Sequence, residues 1–194
     1  MTAKKSRRVR RQEELARQQR QRALRTWVPL GIIGLLLVAL VIYRVFEGNI
    51  EGVTEVAGLS QEHDVNATFD DTTGLPPVGG VHYPSWQNCG IYDQVLDTAY
   101  AVHSMEHGAI WITYNPDLPQ AEIDALKDEA RGDGWVLMSP YPDQSSDVVL
   151  SAWGAQLPLD SASDERIPTF ISRYKAQGPE QGATCTNGVG TPSG

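Results

Sequence analysis

Residues 27–46 of this 194-residue chain read WVPLGIIGLLLVALVIYRVF, with Arg44 as the single charge. A water-soluble fold has no place for such a stretch. As a helix, about 20 residues rising about 1.5 Å each span roughly 30 Å, the thickness of a bilayer's hydrocarbon core. The stretch is therefore expected to be one transmembrane helix. Trp27 and Tyr43 stand where interfacial aromatics belong, and Arg44 is close enough to the end to reach the headgroups. Pro29 is expected in the first turn, where its missing N–H costs nothing.

Charge orients this helix. Residues 1–26 carry ten basic and two acidic residues, a net of +8. From Glu47 onward there are five basic and 22 acidic residues, a net of −17. Basic segments stay on the cytoplasmic side, so the expectation is a single-pass protein of the cell membrane, with residues 47–194 extracytoplasmic. A cleaved signal peptide is the rival, but its n-region would be long, and no convincing small-x-small cleavage site follows the apolar run. The basic head 1–26 then acts as a topology signal attracted to anionic membrane lipid, as helix or disordered tail. The basic head could bind nucleic acid phosphates, but its topology role accounts for it more simply; the acidic body has little use for them, so no nucleic-acid partner is expected, and its charge keeps the outer part soluble.

The chain has two cysteines, Cys89 and Cys185. In an oxidising compartment the simplest state for such a pair is one disulfide. It would tie the Gly-rich end, GATCTNGVGTPSG, back to the middle of the chain. The alternative is a free thiol acting as metal ligand or nucleophile, but neither cysteine has a CxxC or cysteine-protease context.

Residues 47–62 read as a linker, 63–178 as the folded domain and 179–194 as a Gly-rich tail tethered by Cys185. Within the domain, 63–92 is dense in Pro, Gly and aromatics and reads as an ordered loop. Thr98 to His107 predicts a helix closed by Gly108, and AIWITY (109–114) a strand. Pro119 to Arg131 predicts an amphipathic helix on Ile123, Leu126 and Ala130. WVLMS (135–139) and DVVLSAW (147–153) predict strands, and the segment 164–175 a last helix from Ile167 on, with Pro168 in its first turn. The order β-α-β-β-α implies a small two-layer α+β (or α/β) domain with a mixed sheet of at least three strands. It resembles half of a thioredoxin-like fold without its CxxC.

The chemistry gathers in HSMEH, residues 103–107. All four histidines of the chain, His63, His82, His103 and His107, fall within one short region. On a helix, positions i and i+4 share a face, so His103 and His107 can close on one ion, with His82 and His63 completing the set. Imidazole nitrogen suits zinc, copper, nickel or iron. Met105 points away from that face on a helix and belongs to the core; on a strand it would join both histidines in a copper-like set. The pattern H-x-x-E-H also occurs in zinc peptidases, where the glutamate is the general base. Glu129 or Glu165 would then have to supply a further ligand. The helix ends immediately after His107, so Glu106 is expected instead to orient a histidine from behind or to cap a loop hydrogen bond, and no catalytic residue is assigned.

The segments PPVGGVHYPSWQNCGIY (76–92) and VHSMEHGAIWITYNP (102–116) resemble the bacterial family called domain of unknown function 3105. The resemblance covers roughly residues 60–178. Its pattern falls on His63, Pro76, Pro77, Gly80, His82, Trp86, Gly90, Tyr92, His103, Glu106, His107, Gly108 and Tyr114. The chain departs from it at Asp64, where valine is usual, and at Gly79, where serine is. The resemblance implies a membrane anchor, an exported domain and the place of the site, but no reaction.

Three expectations follow. The first is a membrane-anchored extracytoplasmic domain binding copper or zinc through His63, His82, His103 and His107, with Glu106 in support. The second is a non-enzymatic assembly subunit of a membrane complex, with an envelope protein as partner and the histidines as a structural cluster. The third is a metallohydrolase.

Overall fold

The computed structural model describes residues 7–47, 50–69, 71–180 and 182–193. The chain divides into two units, Met1–Asn49 and Ile50–Gly194.

In the first unit a single helix, α1, runs Arg7–Glu47. From Arg7 onward the basic head is thus helical and continuous with the apolar run. Its Arg, Gln, Glu and Ala residues are strong helix formers, and a helix already nucleated propagates at little cost. Pro29 consequently lies inside the helix and not in its first turn, where it removes one intrahelical hydrogen bond. Leu35, Leu36, Leu37 and Val38 are all exposed, so the helix is apolar around its whole circumference. By length and composition α1 is the one helix among the described residues able to cross a membrane. Lys4 and Lys5 of the basic head lie outside the described residues, as do the side chains of Tyr43 and Arg44.

The second unit is α+β, built on a six-stranded mixed sheet. Its strands are β1 (Thr54–Glu55), β2 (Gly90–Ile91), β3 (Ile110–Tyr114), β4 (Val136–Pro140), β5 (Val148–Ala152) and β6 (Ala155–Leu159). Its helices are α2 (Thr98–Glu106), α3 (Gln120–Ala130) and α4 (Arg166–Tyr174). The sheet order is β1-β6-β5-β3-β4-β2. The crossover β3-α3-β4 makes β3 and β4 parallel, and β2 adds parallel to β4. On the other side β5 and β6 form a hairpin antiparallel to β3.

β3, β4 and β5 are buried at every position, as strands covered on both faces must be. Ile110, Ile112, Met138 and Leu150 face the larger core, with Leu126 of α3 and Phe170 of α4. Trp111 and Leu137 face the opposite side, against Val102 and Met105 of α2. The expected two layers are therefore three, because α2 and the preceding loop cover the second face. β6 and the two-residue strands β1 and β2 escaped the sequence reading. β6 contains Pro158, but β1 pairs only with Ala155 and Gln156, so Pro158 lies on open sheet edge, where proline is tolerated.

α2 carries the site. Asp97 caps it, accepting a hydrogen bond from the Ala99 N–H at 3.0 Å, as an N-cap aspartate should. Gly108 ends it at φ +106°, and a Cβ there would stand 2.7 Å from the Cα of Ala176. Glycine is thus required by both conformation and space. The close approach lays residues 176–180 across the C-terminal end of α2, with the Glu180 N–H donating to the Glu106 carbonyl.

Candidate metal centre

His103, Glu106 and His107 sit on the last turn and cap of α2. The 63–92 loop brings the other two histidines to them. His63 and His82 pair as a parallel bridge. There the Asp64 N–H donates to the His82 carbonyl and the His82 N–H to the Glu62 carbonyl. Gly79, at φ +144°, lets the loop lie against Trp153, whose ring would be only 3.2 Å from an added Cβ. The Trp153 ring then packs edge-on against His82 at 5.6 Å.

All four histidines converge. Ring centroids lie 4.7 Å apart for His63–His82, His63–His103 and His103–His107, and 4.8 Å for His82–His103. His82, His103, Glu106 and His107 are buried.

Hydrogen bonds fix which nitrogen each ring offers. Nδ1 of His82 contacts the Gly80 carbonyl at 2.7 Å, Nδ1 of His103 the Tyr83 carbonyl at 2.6 Å, and Nδ1 of His107 the Thr184 carbonyl at 2.7 Å. A carbonyl oxygen only accepts, so each Nδ1 carries the proton and donates it. In the neutral ring, Nε2 is then a bare lone pair. Backbone anchoring of one ring nitrogen is what orients a histidine for a metal at the other.

The Nε2 atoms of His63, His82 and His107 face carboxylates. Glu106 Oε2 lies 3.0 Å from Nε2 of His82 and 3.4 Å from Nε2 of His63. Glu180 Oε2 lies 3.2 Å from Nε2 of His107. A lone pair and a carboxylate oxygen repel at such distances unless a positive charge, a proton or a metal cation, stands between them. Glu106 thus lies on the Nε2 side of both rings and does not accept from the anchored Nδ1 of His82, so it stands among the ligand atoms and not behind a histidine as expected. Among the described residues two sets of ligand atoms result, each with its atoms within 4.8 Å of one another: His63, His82, His103 and Glu106; and His103, His107 and Glu180.

Burial pushes the His103 imidazole down to about 4, assisted by repulsion from His107, His82 and His63 and opposed by the Tyr83 carbonyl. At neutral pH His103 is uncharged and its Nε2 free to bind. Between the unfolded value of 6.5 and about 4, the unfolded chain holds a proton that the folded chain does not. The metal-free protein should therefore lose stability as pH falls through that window, by about 3 kcal/mol in all. Urea midpoints measured in chelator from pH 7.5 to 4 check this, and His103→Gln should flatten that part of the curve.

Two features hold the arrangement from outside. Cys89 and Cys185 form a disulfide, with Cα atoms 5.3 Å apart, which carries Thr184 to His107. Trp86 covers His107 at 4.6 Å and His103 at 5.7 Å. Met105 is fully buried in the core beneath the site and offers no ligand to it. Glu180 was invisible as a ligand in the sequence. Its one signal was a position five residues before Cys185.

The family described as "Protein of unknown function (DUF3105)" matches residues 69–187. The chain belongs to this family. The DUF3105 match encloses His82, Cys89, His103, Glu106, His107, Glu180 and Cys185, while His63 lies ahead of it. No curated protein and no solved structure matches the chain.

Proposed function

We propose that this DUF3105 protein holds a transition-metal ion, zinc or copper, on a membrane-anchored domain facing away from the cytoplasm, where it handles or senses envelope metal. One observation carries the reading: three histidines anchored through Nδ1 to backbone carbonyls present Nε2 to one another and to two carboxylates. Nitrogen and carboxylate oxygen, without thiolate or thioether, suit zinc or copper(II). Ligand atoms around an ion with ~2.0–2.1 Å bonds stand about 3.3–4.2 Å apart. The present separations, within 4.8 Å, close to that range by small side-chain rotations. The apolar α1 helix, its basic head and the disulfide favour anchoring with the site on the oxidising side. The β3–β6 order is read as a scaffold akin to half of a thioredoxin-like fold.

A second reading has its own support. His82 faces an acceptor at each ring nitrogen, Gly80 O and Glu106 Oε2, as an imidazolium in a purely structural ion pair would. The cluster would then lock the loop onto α2 in an assembly subunit. Glu106→Gln in the full chain, purified in detergent, separates the two. Under the metal reading it weakens zinc affinity about 10–100-fold in competition with a chromophoric chelator, and the metal-free fold survives. Under the structural reading it strands a buried cation at a cost of about 3–5 kcal/mol, and zinc affinity is negligible from the start.

A further inference from the structure

The two ligand sets share one residue, and that residue has one lone pair to give. His103 Nδ1 is committed to the Tyr83 carbonyl, so only its Nε2 can bind a metal. That atom cannot serve an ion in each set at once.

Exposure divides the sets further. In the first, His82, His103 and Glu106 are buried, and His63 is 40% exposed through its side chain. In the second, His103 and His107 are buried while Glu180 is 54% exposed. The second set is smaller and opens through a carboxylate, which attracts cations from solvent. The first has four donors, three of them buried.

We propose, resting on the metal reading above, that the cluster is a two-position relay for a single divalent transition-metal ion. The ion is first captured by Glu180, His107 and His103. His103 then stays bound while His82, His63 and Glu106 replace Glu180 and His107. Ligand exchange at the metal accomplishes the transfer, with no change of oxidation state and no covalent bond made in the protein. Trp86, packed over His103 and His107, shields the route from water.

Copper(II) is the probe, because paramagnetic resonance distinguishes its ligand sets. The full chain in detergent is mixed with copper(II) and frozen at intervals from milliseconds to minutes. The relay predicts one copper per chain at saturation and two successive spectra, the early one converting to the late one. In Glu180→Gln the early spectrum is absent, the late one is unchanged, and its formation slows by about tenfold or more, also in 1 M salt, where steering by an exposed charge is screened. His82→Gln stalls the ion in the early spectrum. Two coppers per chain, or one spectrum from the earliest time point onward, would overturn the relay and leave the metal site standing. Failure to bind copper or zinc at all would overturn both.

Discussion

Replacing Cys89 and Cys185 together by alanine should destabilise the 50–194 unit by about 4–5 kcal/mol, the loop-closure entropy expected of a cross-link spanning about 100 residues. The separation here is 96 residues. For a unit of this size the loss corresponds to a fall in melting temperature of about 10–20 °C. The effect should reach the proposed metal site as well. Residues 184–190 are held to 86–89 by the disulfide and by a short ladder in which the Cys89 N–H donates to Cys185, Asn88 to Val189 and Val189 to Trp86. Thr184, beside the cross-link, supplies the carbonyl that anchors His107. Loosening the strap frees that ring to turn. Calorimetry with and without reductant reads the stability, and a zinc competition titration reads the site. Wild-type protein under reductant and the double variant should agree. If reductant leaves the melting temperature unchanged, the strap is held by its hydrogen bonds alone.

On the proposed metal reading, withdrawing the ion should be the second large effect. A ligand that binds only the folded state stabilises it by about 4 kcal/mol at a free concentration about a thousand times its dissociation constant. The full chain with excess zinc should therefore melt about 10 °C above the same chain in chelator. His103 belongs to both ligand sets, so His103→Ala should abolish this difference. Glu180→Gln, which touches only the outer set, should leave most of it. Scanning calorimetry over a zinc series checks both. A wild-type melting temperature indifferent to zinc would mean that the histidines bind no ion in the folded state.

Most of the scaffold was legible because its signals are local. α2, α3, β3, β4 and β5 announce themselves through capping residues, helical periodicity and short β-branched runs. The convergence of His103 and His107 follows from helical spacing alone. Placing Met105 in the core follows from the same geometry. The short strands were not legible, since two residues such as Gly90–Ile91 carry no period and owe their state to the partner strand. The third layer went unread, although the runs IWITY, VLMSP and VVLSA lack the apolar–polar alternation of a strand covered on one face only. The role of Glu106 could not be read, because sequence gives proximity to His107 but not which ring the carboxylate faces. It faces His82 and His63, 24 and 43 positions away in the chain. Glu180 reaches the site only because Gly108 permits residues 176–180 to cross the end of α2.

The central claim is that anchored histidines and buried carboxylate form a metal site, and metal content tests it most directly. The full chain, without a histidine tag, would be produced with its disulfide formed, purified in detergent, and its zinc, copper, nickel and iron counted by plasma mass spectrometry. His103→Ala/His107→Ala would be prepared alongside. The predicted result is close to one zinc or copper per wild-type chain and essentially none in the double variant. A folded wild-type chain that carries no metal, even after incubation with zinc and copper, would contradict the account and make the cluster a structural ion pair.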